Sequence, residues 1–154
     1  MKLHEELKQS KPFSRVEEEA LVSISRTAAV LERTFARMLK PHGLTPTQYN
    51  VLRILRGAGP AGLCRNEVGA RLVTPVPDVT RLLDRMAAMK LIARQRADTD
   101  RRLVRTHLTP KGLALVDRLD GTIAALLEER VAPLGRQTLT VLVDALARLR
   151  SAGD

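Results

Sequence analysis

The pattern of apolar and polar positions between residues 77 and 112 predicts a helix, a β-hairpin and a second helix start. Apolar residues first recur at the i, i+3, i+4, i+7 spacing of a helix with one buried face: Val79, Leu82, Leu83 and Met86. A period-2 alternation follows, and it predicts strands from Ile92 to about Arg96 and from Leu103 to Leu108. The residues between the strands, Ala97 to Asp100, are typical of turns. Pro77 fits the first turn of the helix, where its missing N–H is not needed.

Two further helices are predicted before this unit. Thr45 fits an N-cap with Pro46 in the first helical position and Gln48 closing a capping box. Glycine and proline then interrupt the chain at Gly57, Gly59, Pro60 and Gly62. A short helix is expected from about Arg65 to Val73, followed by a turn. Three helices and a hairpin in this order predict a winged helix-turn-helix, a mainly α fold with a small β-hairpin wing.

Leucine-rich helices flank this core on both sides. An apolar stripe runs from Ile24 to Met38, and similar stripes run through 116–126 and 139–149. Spacing of three and four residues suits helix–helix packing. For 116–126 an intrachain core and a dimer interface are both open, whereas a dimer interface is favoured for the terminal helices.

These patterns divide the chain into four parts. They are an arm (1–14), a first dimerisation or linking helix (15–43), a winged helix-turn-helix DNA-binding core (44–112) and C-terminal dimerisation helices (113–154). The arm is expected either to pack on a partner subunit or to be a disordered tail.

The charge of the chain favours a polyanionic partner. There are 26 Lys and Arg against 17 Asp and Glu, a formal net charge of +9. Two arginines, Arg81 and Arg85, lie one turn apart on the polar face of the predicted helix, and arginine pairs bidentately with guanine. We therefore expect Thr80, Arg81 and Arg85 to read bases in the major groove, with Pro77 and Asp78 setting the helix entry. The hairpin arginines Arg94, Arg96 and Arg105 are expected to neutralise phosphates.

Residues 44–112 resemble the DNA-binding core of MarR-type regulators, the multiple antibiotic resistance regulator family. The most specific element is Asp100 and Arg102 followed by Leu108, Thr109 and Gly112. The resemblance implies a homodimer that binds a pseudo-palindromic operator in double-stranded DNA, usually as a repressor, and releases it when a small molecule or an oxidant binds. It also implies that Arg102, oriented by Asp100 and accompanied by Arg101, reaches into the minor groove.

The chain departs from the family pattern at two positions. Lys90 stands where glycine is common after the recognition helix, so that either the helix end is strained by about 1 kcal/mol or it ends differently. Gly69 stands where alanine is usual and should weaken its helix by about 1 kcal/mol.

Two regulatory features are also predicted. One is a pocket for a small aromatic carboxylate or phenol at the junction between the dimerisation helices and the DNA-binding core. The same residues could instead form an ordinary packed hinge. They are Phe35, Met38, Leu39, His42, Tyr49 and Arg53. Cys64, the single cysteine, falls at a helix N-cap beside an arginine, where it could sense oxidants or serve only as a small capping residue.

Enzyme classes find no support in the sequence. It contains no HExxH, CxxC or GxSxG pattern and no phosphate-binding glycine loop, and its three histidines are scattered. We therefore expect no catalytic site, no metal and no cofactor. The lack of a signal peptide or a long apolar run predicts a cytoplasmic protein without a membrane partner. A winged-helix protein-interaction module and a nonspecific architectural DNA binder stay open as alternatives.

Overall fold

The computed structural model describes residues 2–96 and 104–152. These ranges contain seven α-helices: α1 Leu3–Glu6, α2 Val16–Leu39, α3 Pro46–Ala58, α4 Arg65–Arg71, α5 Val79–Ala88, α6 Pro110–Arg130 and α7 Arg136–Ser151. They also contain three strands: β1 Leu63–Cys64, β2 Ile92–Arg96 and β3 Val104–Leu108. Short 3₁₀ turns follow α2, α3 and α6. The predicted mainly α fold with a hairpin wing is confirmed.

The three strands form one antiparallel sheet with β3 in the centre. The order is β1-β3-β2, and β2 pairs with β3 from Ile92 opposite Leu108 to Arg96 opposite Val104. Strand β1 pairs Leu63 with Thr106. The sequence did not indicate β1, because two residues are too few to show an alternating pattern.

The hydrophobic core lies between α3, α4, α5, the sheet and the first half of α6. Leu52, Val68 and Met86 are fully buried in it. Val116 and Leu119 of α6 are also fully buried, and Ile123 packs against the same cluster. The apolar stripe that begins at Val116 is therefore intrachain core over its first half.

Helix boundaries follow capping chemistry, and this corrects three expectations. Helix α3 begins as predicted, because the Thr45 hydroxyl accepts from the backbone N–H of Gln48 at 3.2 Å. Helix α5 begins at Val79, since the Asp78 carboxylate caps it by accepting from the N–H of Arg81 at 2.9 Å. Pro77 consequently precedes the N-cap and is not in the first turn. Two other boundaries also differ from expectation. Gly57 lies within α3 and does not interrupt the chain there. Helix α4 ends at Arg71 and not near Val73, because Leu72 takes an extended backbone with ψ of 134°.

The two departures from the family pattern have structural explanations. Lys90 has a φ of +60°, so the strained alternative is the correct one. The turn survives because the N–H of Leu91 bonds back to the carbonyl of Met86 at 3.1 Å and the Thr109 hydroxyl donates to the carbonyl of Lys90 at 2.7 Å. A Cβ on Gly69 would lie 3.1 Å from the Val79 side chain, so glycine lets α4 and α5 approach closely.

The N-terminal arm contacts its own chain. Residues Leu3–Glu6 form the short helix α1, and Glu6 Oε1 accepts from Arg26 Nε of α2 at 2.8 Å. This part of the arm is ordered and held against α2 of its own subunit, which does not fit the disordered alternative, and packing on a partner subunit stays a prediction.

Helix α7 has no buried residue, unlike α3 to α6. Its exposed apolar residues include Val141, Leu142, Val143 and Leu149. Within the described residues, no helix combines the length and the hydropathy needed to cross a membrane.

Candidate nucleic-acid interface

Helix α5 presents an arginine-bearing face to solvent. Its opposite face is anchored in the core by Leu83, 1% exposed, and Met86, fully buried. This orientation leaves Arg81 and Arg85 exposed on the outer face, as the sequence predicted.

Thr80 is held by two arginines of neighbouring elements. Its hydroxyl accepts from Arg65 Nη1 of α4 at 3.3 Å, and its backbone carbonyl accepts from Arg94 Nη2 of β2 at 3.3 Å. The residue expected to read bases is therefore half-buried and fixes the first turn of α5. Sequence reasoning missed Arg65, whose only signal was its position directly after the predicted cap at Cys64.

Arg94 of β2 forms an ion pair with the carboxylate of Asp84 in α5. Its Nη1 lies 2.7 Å from Asp84 Oδ1, and the two side chains are 29% and 59% exposed. Arg94 was expected to neutralise phosphates, but in the DNA-free protein its guanidinium binds Asp84 and Thr80. The pair joins β2 to the middle of α5.

Of the other two hairpin arginines that the structure describes, Arg105 is held by the protein and Arg96 is exposed. Arg105 Nη1 donates to the backbone carbonyls of Ala61 and Gly62 at 3.4 and 3.2 Å, so it fastens β3 to the turn before β1. Arg96 is exposed at the end of β2. The predictions for Asp100, Arg101 and Arg102 concern residues outside the described ranges.

Cys64 is the N-cap of α4. Its backbone N–H donates to Glu67 Oε2 at 2.7 Å, and its side chain accepts from the N–H of Glu67 in a reciprocal capping box. The hydrogen bond from the Cys64 backbone, together with one from its side chain, lowers the pKa of Glu67. This geometry gives the cysteine a structural role. Oxidant sensing stays a prediction, and a Cys64→Ser variant that still loses DNA binding normally under peroxide would contradict it.

A cavity of about 350 Å³ lies between α2, α3 and the turn after α4. Three of the six predicted pocket residues line it, namely Phe35, Tyr49 and Arg53. The other three do not: Leu39 is fully buried in the core, Met38 packs against that core, and His42 is exposed in the 3₁₀ turn after α2. The helical period explains this, because residues three or four positions after Phe35 continue along α2 beyond the cavity.

The walls of this cavity carry polar groups that the sequence did not single out. Glu32 lines it from α2, and Asn50 lines it from α3 while its Oδ1 accepts from the N–H of Val73 at 2.9 Å. Burial raises the pKa of the Tyr49 hydroxyl, although the neighbouring positive charge of Arg53 opposes the shift. The phenol is consequently neutral and able to donate a hydrogen bond near neutral pH.

A charged clamp connects α3 to α6. Arg56 donates in a forked arrangement to both carboxylate oxygens of Asp120, at 2.8 and 2.9 Å, and also to Asp117 at 2.8 Å. Hydrogen bonding to Asp120 and Asp117 holds the pKa of the guanidinium above its usual value, and that to Arg56 lowers the pKa of Asp120. Bidentate pairs of this kind fix orientation as well as distance. The clamp therefore links α3 to the middle of α6.

Within residues 2–96 and 104–152, no three His, Cys, Asp or Glu side chains group closely enough to hold a metal ion.

The sequence profile described as "MarR family" matches residues 42–103, which include α3, α4, α5, β1 and β2. The transcriptional repressor CouR, solved on a 23-mer DNA duplex, is 28% identical with a TM-score of 0.78, over 92% of this chain and 99% of that one. The chain belongs to the MarR family.

Two other transcriptional regulators are similar along most of the chain. The HTH-type transcriptional regulator MhqR of Bacillus subtilis is 24% identical over 128 residues, which are 83% of this chain and 87% of MhqR. The PcaV regulator of Streptomyces coelicolor, solved with its natural ligand, is 26% identical with a TM-score of 0.69, over 84% of this chain and 93% of that one.

As a MarR-family protein, the chain is a DNA-binding transcriptional regulator and not an enzyme. The matched profile covers α4 and α5, the helix-turn-helix that carries Arg65, Arg81 and Arg85.

Proposed function

We propose that this MarR-family protein is a homodimeric cytoplasmic repressor that binds a pseudo-palindromic operator and releases it when a small molecule binds. The observation that carries the proposal is the orientation of α5. Its apolar face is locked into the core while Arg81 and Arg85 point into solvent. Arginine at this place can pair with guanine in the major groove.

The dimer is supported by apolar surface that one chain does not cover. Leu142 and Leu149 of α7 are 45% and 49% exposed, and Leu127 near the end of α6 is 48% exposed. A symmetric pairing of these helices would bury this surface and present two copies of α5. Recognition helices one DNA turn apart read half-sites spaced by about 10–10.5 bp.

Repression and a cytoplasmic location are proposed by analogy. CouR is named as a transcriptional repressor, and MhqR and PcaV come from bacteria. A bacterial regulator that acts on the chromosome works in the cytoplasm.

A small aromatic carboxylate or phenol is the proposed effector. The cavity offers an apolar wall at Phe35, a cation at Arg53 and a phenol donor at Tyr49. PcaV, a regulator similar to this chain, was solved in complex with its natural ligand, which supports regulation by a ligand here. Because Val73 and Thr74 of the turn before α5 also line the cavity, a bound molecule would press on the segment that positions the recognition helix.

The hairpin is proposed to add two further kinds of contact. Arg101 and Arg102, with Asp100 as orienting partner, are proposed to enter the minor groove, and this assignment rests on the wing signature in the sequence. Arg96, which is exposed at the end of β2, is proposed to contact phosphate.

Selection from a random duplex library with purified protein at physiological salt tests the function. An enriched inverted repeat with one-turn spacing is expected. Salt-sensitive binding without an enriched repeat would instead indicate an architectural DNA binder. Absence of all binding would indicate a protein-interaction module.

A further inference from the structure

The ion pair between Asp84 and Arg94 lies beside the two arginines of the proposed DNA-reading face. Asp84 lies on the exposed side of α5, one residue before Arg85 and three after Arg81. A carboxylate there would face the phosphates that the neighbouring arginines attract. The geometry shows where its charge goes, because Asp84 Oδ1 lies 2.7 Å from Arg94 Nη1.

Arg94 is restrained by a second contact on the same helix. Its other terminal nitrogen, Nη2, donates to the carbonyl of Thr80 at 3.3 Å, one turn before Asp84. Both terminal nitrogens of the guanidinium group thereby contact α5. The side chain is 29% exposed, so solvent still reaches it and it could turn outward if its partner were removed.

We propose that Asp84 is a specificity-determining residue that withholds Arg94 from the DNA backbone. Phosphate contacts strengthen binding to every sequence, whereas base contacts distinguish sequences. By holding Arg94 against α5, Asp84 removes one sequence-independent contact per protomer and keeps β2 fixed relative to the reading helix. This inference rests on the proposed role of α5 in reading DNA.

The salt dependence of binding measures the number of phosphate contacts directly. Each contact contributes about −0.9 to the slope of log Kobs against log salt on duplex DNA. Asp84→Asn should therefore steepen the slope on a random-sequence duplex by about 0.9 per protomer and tighten binding there by about 5–10-fold per protomer near 0.1 M salt. Affinity for the library-selected duplex should rise less, so the ratio of specific to random binding falls.

The Arg94→Gln background separates release of Arg94 from simple loss of a negative charge. Adding Asp84→Asn to Arg94→Gln should leave the slope unchanged, because no guanidinium is then released. Glu128→Gln, an exposed change on α6 with the same charge difference, should also leave it unchanged. An equal slope in Asp84→Asn and wild type, or a slope that flattens by about 0.9 in Arg94→Gln alone, would overturn the proposal.

A DNA-free measurement keeps this inference separable from the proposed function. If the wild-type protein binds no duplex, the proposed function fails, and the pair is then tested by thermal melting. Each single variant should lower Tm, and the double variant should lower it no further. Additive Tm losses would contradict the pairing itself.

Discussion

At the scale of single residues, the arginines of the DNA-facing surface fall into two groups. Arg81, Arg85 and Arg96 are exposed, whereas the guanidinium groups of Arg94 and Arg105 donate to groups of the protein itself. Residue type alone did not separate them, because all five are arginines in a basic segment. Their neighbours decide which can reach DNA without first breaking a contact.

Arg81→Ala should weaken binding to the library-selected duplex by about 1–3 kcal/mol and relax the preference at one base pair in each half-site. The reason is that the variant loses the bidentate hydrogen bonds that arginine forms with guanine and not with the other bases. Binding isotherms on the selected and random duplexes measure the effect, with Arg118→Ala, an exposed arginine of α6, as a control for charge. Equal losses on both duplexes would refute a base-reading role.

Lys90→Gly should raise the free energy of unfolding by about 0.5–1 kcal/mol. The φ of +60° at Lys90 strains any residue with a Cβ, and glycine removes that strain while adding some unfolded-state entropy. Urea denaturation measures the change. Lys90→Ala keeps the Cβ and removes the charge, so a gain of the same size in that variant would show that charge, not strain, is responsible.

At the scale of elements, the core is positioned by two contacts of α6. One is the Arg56 clamp to Asp117 and Asp120, and the other is a close approach at Gly112. A Cβ on Gly112 would lie 2.0 Å from the backbone carbonyl oxygen of Leu91. The glycine of the wing signature therefore has a packing reason that is independent of DNA.

Gly112→Ala should lower the free energy of unfolding by about 3 kcal/mol, since backbone must move to admit the methyl group. Gly121→Ala is the matched control in the same helix, because a Cβ there meets nothing within 4 Å. It should gain up to about 1 kcal/mol from helix propensity. Urea denaturation of both variants checks the opposite signs, and equal effects would contradict the close approach.

The clamp should make stability depend on pH in the acidic range. Its hydrogen bonds from Arg56 lower the pKa of Asp120 in the folded state. Its contribution is therefore fully present above the usual carboxyl pKa and is lost as the pH falls through the lowered folded value. Wild type should exceed Asp120→Asn in unfolding free energy at pH 7, and the difference should shrink as denaturation is repeated toward pH 3. A pH-independent difference would contradict this, and Asp144→Asn, an exposed change on α7, is the control.

At the scale of the whole molecule, one chain leaves α7 without a packing partner in its core. The apolar stripe through Leu139, Leu142, Leu146 and Leu149 was predicted from spacing, and the structure gives α7 no buried residue. Apolar surface of this extent on a terminal helix favours association with a second copy. The proposed operator symmetry depends on it.

Leu142→Asp should convert the proposed dimer to a monomer, because a charge in an apolar interface is left without a partner. Light scattering after size-exclusion chromatography measures the mass, and operator affinity should fall with it. Val141→Asp is the matched control, since Val141 is 64% exposed and lies off the stripe. A variant at Leu142 that keeps a dimer mass would exclude this face as the interface.

Local chemistry made several parts of the fold readable from the sequence. The Thr45–Gln48 capping box and the hairpin strands occurred at the predicted residues. Capping and alternation depend on residues within a few positions of each other, so a single chain segment contains the needed information. Where two local signals competed, as at Pro77 and Asp78, the side chain that could satisfy backbone N–H groups decided the boundary.

The sequence by itself thus determined the order of helices, the wing, the basic reading face and the family signature. Only the tertiary structure decided which of the basic side chains are held by the protein, which residues line the cavity, and that 116–119 belong to the intrachain core. Arg65 meets Thr80 across 15 positions and Arg56 meets Asp120 across 64. Contacts over such separations depend on how the helices pack against each other, which the spacing of apolar residues within one helix does not specify.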